Sequence, residues 1–146
     1  MLTRFPRDVL PYRPQLVISQ TGTNQALVSE DVQGYEHTVR EGIARLKAVH
    51  TDVILMDPQY VPRVLARPLH KAIVDTLGGV ANDINIAVFR RFAVMRQWVT
   101  SGEYRMEDIL SRDQLHMNDA SYHCSAPLLA DSLTSDAFAT PRQVAD

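Results

Sequence analysis

The chain has 146 residues, 45% of them hydrophobic, and a formal net charge of −2. That length and composition suit one globular domain with a real core and exclude a disordered chain. The charge balance supplies no basic surface for nucleic acid or an anionic membrane. No apolar run approaches the roughly 20 residues of a membrane span, and the single cysteine, Cys124, excludes an internal disulfide.

The opening residues, Met1 to Asp8, lack the long apolar stretch of a signal peptide. Three short apolar runs follow along the chain, at Gln15–Ser19, Asp52–Met56 and Ile84–Phe89. The first two hardly alternate, which predicts strands buried on both faces, as in a parallel sheet covered by helices. Between the first two runs, Val32, Tyr35, Val39, Ile43, Leu46 and Val49 fall at steps of three and four, the mark of a helix with one core face. Leu69, Ala72, Ile73, Leu77 and Val80 repeat that pattern before the third run, and a shorter helix is predicted over Arg91–Trp98 with Met95 and Trp98 in the core. A last helix is predicted from about Asp119 to Leu133. Pro127, well inside it, predicts a kink or a break near Cys124. From Ser135 the chain turns polar and reads as a loose tail over 135–146. Alternating strands and helices predict an α/β fold with a parallel sheet.

Such sheets carry their chemistry in loops at the carboxyl ends of the strands. Asp113-Gln-Leu-His116 leads into the final helix. That spacing lets the carboxylate hold one imidazole nitrogen while the other faces a substrate, as a general base requires. On spacing alone, the same residues fit a surface loop with a capping aspartate. Asn118 reads as the N-cap of the final helix. Gln20-Thr-Gly-Thr-Asn24 follows the first strand; Gly22 suits a tight turn, and Asn24 is either an amide donor for an oxyanion or a helix cap. Asp57 and Gln59 follow the second strand and either line the pocket or form a turn directed by Pro58. Arg90 and Arg91 either bind an anionic group or, the reading favoured, form a solvated helix start. His116, Asp119, His123 and Cys124 are grouped in sequence, but no C-x-x-C or H-E-x-x-H accompanies them, and neither a metal nor a cofactor is expected.

The order of the two blocks resembles that of bacterial SGNH/GDSL hydrolases, a family with four signature blocks. Gly22-Thr-Asn24 after a strand resembles the third block, and Asp113-Gln-Leu-His116 before the last helix resembles the fourth. The resemblance extends over roughly Asp8 to Leu133. It implies a three-layer, flavodoxin-like fold and hydrolysis of a small ester, such as an acetylated sugar, through an acyl-enzyme. It assigns His116 as the base, Asp113 as its orienting partner, and Asn24 with Gly22 to the oxyanion hole.

One departure from the family pattern bears on activity. No Gly-Asp-Ser occurs in the sequence, so the family's nucleophile block and the strand that carries it are missing. Residues 1–134 therefore read as a partial domain truncated to about three strands, with an apolar edge along Leu16-Val-Ile. The expectation is an esterase fragment that is inactive alone. The alternative is a non-catalytic remnant or interaction module pairing through that edge, for example as a homo-oligomer. The compartment stays open: cytoplasmic as written, secreted or periplasmic if a leader was lost.

Overall fold

The computed structural model describes residues 2–28 and 31–134; the tail expected from Ser135 lies outside them. Two 3-10 turns, Leu2–Arg4 and Leu10–Tyr12, flank α1 (Phe5–Asp8). Then come β1 (Leu16–Gln20), α2 (Thr23–Val28), α3 (Val32–Lys47), β2 (Asp52–Met56), α4 (Pro62–Leu65), α5 (His70–Ile84), β3 (Ala87–Phe89), α6 (Arg91–Thr100), α7 (Met106–Ile109) and α8 (Asp119–Thr134). The three strands are parallel and lie in chain order, with Ile18 opposite Ile54 and Leu55 opposite Val88. The molecule is thus the expected α/β parallel sheet with flanking helices.

The helical periodicity places the core. Tyr35, Val39, Ile43 and Leu46 of α3 are buried, as are Ile73, Leu77 and Val80 of α5, and the two helices pack on each other. Val53 and Leu55 join Val39, Gly42, Ile43 and Leu46 around a shared interior space, so α3 covers one face of the sheet. Asp31 caps α3 through its carboxylate, which accepts from the Gly34 N–H at 2.7 Å. Met95 and Trp98 are core residues as expected.

Three expectations are corrected. β2 is buried on both faces, but β1 is not: Leu16 is 40% and Ile18 39% exposed. Alternation puts both on the face that Ile54 occupies in β2, so at β1 this face is open among the described residues; no described strand pairs with the edge away from β2, which is the open edge expected. A strand's apolarity reports what it can bury, not what covers it. The third strand begins at Ala87 rather than Ile84. Asn85 adopts a left-handed conformation (φ 54°) and the Ile86 N–H returns to the Ala81 carbonyl at 2.9 Å, so Ile84 closes α5 instead. Finally, of the kink or break expected near Cys124, the break does not occur: α8 runs through Pro127. Pro127 and His123, four residues back, lie on the exposed side, where water can satisfy the carbonyl that loses its intrahelical donor. No helix among the described residues is long and apolar enough to cross a membrane.

Candidate active site

The site begins with a hairpin-like loop that closes on itself. An antiparallel bridge joins Leu110 to Met117, the Ser111 N–H donates to the His116 carbonyl at 2.8 Å, and Gln114 turns the tip with φ 57°. Within that turn one oxygen of Asp113 accepts the N–H groups of Leu115 and His116, each at 3.0 Å. The other oxygen meets His116 Nδ1 at 2.6 Å. The His116 side chain and these two N–H groups hold the Asp113 carboxyl well below the usual carboxylate range. A carboxylate can only accept here, so Nδ1 carries the proton and Nε2 is the nitrogen left for chemistry. Downstream, the Asn118 side chain accepts from the Ser121 N–H at 3.0 Å and donates to the Asp108 carbonyl at 2.8 Å. It is the N-cap expected for α8, and it ties the His116 loop to α7.

The second wall is the turn after β1. Gly22 has φ 98°, a conformation that side chains rarely adopt. A Cβ there would lie 2.9 Å from Pro58 Cγ and from Tyr35 Oη, and 3.1 Å from Ile73 Cγ2. The turn starts α2, so Asn24 lies inside the helix rather than capping it, and its side chain is exposed. His116, Gly22, Thr23, Asn24 and Gln59 line one open cleft of about 770 Å³, together with Arg4, Phe5, Asp8 and Val9 of the N-terminal segment. The folding of the chain thus brings both sequence blocks to one cavity. No serine lines it among the described residues.

Asp57 and Gln59 part company. Gln59 lines the cleft, whereas Asp57 is 2% exposed and turns beneath it. One Asp57 oxygen accepts the Phe92 N–H at 2.7 Å, capping α6 from the end of β2. Arg91, expected in solvent, is 1% exposed instead. Its Nε and Nη2 donate to the Asp57 carbonyl at 3.1 and 2.7 Å, and Nη2 also donates to Gln59 Oε1 at 3.1 Å. Arg90, next to it, is exposed as expected. Sequence reading missed the buried Arg91 and also Thr23, whose hydroxyl hydrogen-bonds Gln59. The one available signal was the position of Arg91 at the carboxyl end of a strand. Cys124 lies 3.6 Å from the Tyr104 hydroxyl, and no three metal-ligating side chains converge among the described residues.

Burial pushes the Asp57 carboxyl up to about 6, against the opposing pull of the Phe92 N–H and the charges of Arg91 and Arg90. Burial likewise pulls the Arg91 guanidinium down to about 10, so it stays charged at neutral pH. A carboxyl raised on folding binds its proton more tightly in the native state. Its contribution to stability is therefore full below the unfolded pKa near about 4 and is lost as pH rises through about 6. Asp57→Asn keeps an acceptor for the Phe92 N–H but cannot ionise. Between pH 4 and 8 the variant should gain on the wild type by about 3 kcal/mol in urea unfolding, from roughly two pKa units at about 1.4 kcal/mol each. Parallel pH profiles for the two proteins would refute this.

Residues 1–138 match the non-GDSL lipase-like family. No curated protein matches the chain. Among solved structures, an acetylxylan esterase from Geobacillus stearothermophilus, in a catalytic-mutant form, is similar with a TM-score of 0.77 and 17% identity. The match covers 94% of this chain and 67% of that one. A second acetyl xylan esterase is similar with a TM-score of 0.78 and 17% identity, covering 90% of this chain and 73% of that one. A lipase/acylhydrolase from Enterococcus faecalis has a TM-score of 0.74 and 24% identity, covering 90% and 67%. At such identities the structural likeness speaks for the fold, while the sequence match identifies the kinship: the chain belongs to the non-GDSL lipase-like family and has the SGNH hydrolase fold.

Proposed function

We propose that this chain carries the acid–base and oxyanion-binding half of a serine ester hydrolase, and that its nucleophile reaches the cleft on a strand paired to the open edge of β1. The observation that carries the reading is the convergence of His116, already oriented by Asp113, with Asn24 on one cleft. The exposed Leu16 and Ile18, together with a cleft in which no described serine takes part, support completion by a further strand.

In the completed site, a serine hydroxyl attacks the ester carbonyl and gives its proton to His116 Nε2. Asp113 stabilises the resulting imidazolium, and the Asn24 amide donates to the oxyanion. The alcohol leaves with the proton from His116, and water, activated by the same base, releases the acid. Acetylated sugars are the first substrates to test, because two similar structures carry the name acetylxylan esterase.

The chain alone should hydrolyse p-nitrophenyl acetate no faster than its His116→Ala variant. Adding a strand-forming segment that bears Gly-Asp-Ser should restore turnover in the wild type only. Equal rates with and without His116 after complementation would sink the reading. The same exposed edge supports a second reading, in which β1 pairs with another copy of the chain and no catalysis occurs. A stable monomer by size-exclusion chromatography would argue against that pairing.

A further inference from the structure

Gln59 combines deep burial with a place on the cleft wall: it is 1% exposed, yet it lines the cavity that holds His116 and Asn24. Its amide orientation is decided by its partners. Arg91 can only donate, so the end of the amide facing Nη2 must be the oxygen. The Thr23 hydroxyl hydrogen-bonds that same oxygen from the turn after β1. Arg91 is itself fixed by two bonds to the Asp57 carbonyl. The amide nitrogen is thereby turned away from Arg91 and has no acceptor among the described residues, and it is not sealed from the cavity. A clamped amide with its acceptor end satisfied and its donor end unmet is an arrangement that a ligand oxygen completes.

We propose that Gln59 is a substrate-binding residue whose Nε2 donates a hydrogen bond to an oxygen of the bound ester, selecting ligands that present an acceptor there. This deepens the hydrolase reading and rests on it for the identity of the ligand. The clamp fixes the donor before the substrate arrives, so little rotamer freedom is lost on binding. Thr23 and Arg91 are positioning residues, acting through Gln59.

The test uses the whole chain, labelled with nitrogen-15, and acetamide as a neutral, non-hydrolysable carbonyl probe. The Gln59 side-chain amide resonance is expected to shift saturably with acetamide. Gln59→Glu keeps an oxygen for Arg91 and Thr23 but replaces the donor with a second acceptor. It should unfold at the wild-type urea concentration yet bind acetamide at least about tenfold more weakly. In the complemented enzyme it should raise KM by a similar factor with little change in kcat, whereas a purely structural role would move the urea midpoint instead. A Gln59 amide that stays still, or a Gln59→Glu chain that binds acetamide as the wild type does, overturns the proposal. The wild-type titration decides even if the variant fails to fold. Failure of the hydrolase reading would show separately, as turnover indifferent to His116→Ala, and would leave the acetamide result standing.

Discussion

In the complemented enzyme, His116→Ala should lower kcat by at least about a thousandfold and leave KM nearly unchanged. His116 Nε2 is the only ring nitrogen free for proton transfer, because Nδ1 is engaged by Asp113 at 2.6 Å. The loss would fall on the transition state, where the serine proton moves, and not on ground-state binding. Asp113→Asn should cost less, since its amide can still accept from the backbone N–H groups of Leu115 and His116 that shape the turn. What it loses is the charge that stabilises an imidazolium. Burst kinetics with p-nitrophenyl acetate separate acylation from release. A His116→Ala enzyme that acylates at the wild-type rate would remove His116 from the mechanism.

Gly22→Ala should destabilise the fold by about 3 kcal/mol or more. Two costs combine. The backbone at φ 98° disfavours any Cβ, and the new atom would press within 2.9 Å of both Pro58 Cγ and Tyr35 Oη. Neither neighbour yields easily: Pro58 is a ring in the buried loop after β2, and Tyr35 is a core residue of α3. The relief available is to flatten the turn, which would move Thr23 and Asn24. A urea midpoint shift should therefore accompany weaker ligand binding in the cleft. A Gly22→Ala chain with the wild-type midpoint would show that the turn is less constrained than its geometry implies.

The parts of the fold that could be read from sequence are those whose cause is local. The spacing of Tyr35, Val39, Ile43 and Leu46 is the burial pattern of α3, because helical periodicity is a property of successive residues. The Asp113–His116 contact was only half legible in that way: the partners are three positions apart, which fits a capping aspartate as well, and the order of the two blocks, a resemblance, decided for the clasp that the turn's backbone N–H groups finish. Its convergence with Asn24 was expected from the order of the two blocks, a resemblance to known chains and not a deduction from physics.

Where partners come from distant segments, local pattern was silent or misleading. Arg91 reads as half of a solvated arginine pair, yet it is buried because the Asp57 carbonyl and Gln59, more than thirty residues earlier, accept its protons. Asp57 reads as either a pocket residue or part of a turn directed by Pro58, and local pattern did not show that it caps α6, which follows because β2 and β3 lie side by side and bring the helix start over it. β1 reads as a strand covered on both faces with one open edge, yet one of its faces is open as well among the described residues, because apolar composition states only a capacity for burial. Sequence by itself determined the alternation of strands and helices and the turn at Gly22, both governed by short-range backbone and side-chain geometry, while the histidine clasp was expected from the resemblance of the block order. Only the tertiary structure decided which polar groups are buried, which amide end of Gln59 faces the cleft and which face of β1 lies open, since each depends on what the folded chain sets against it.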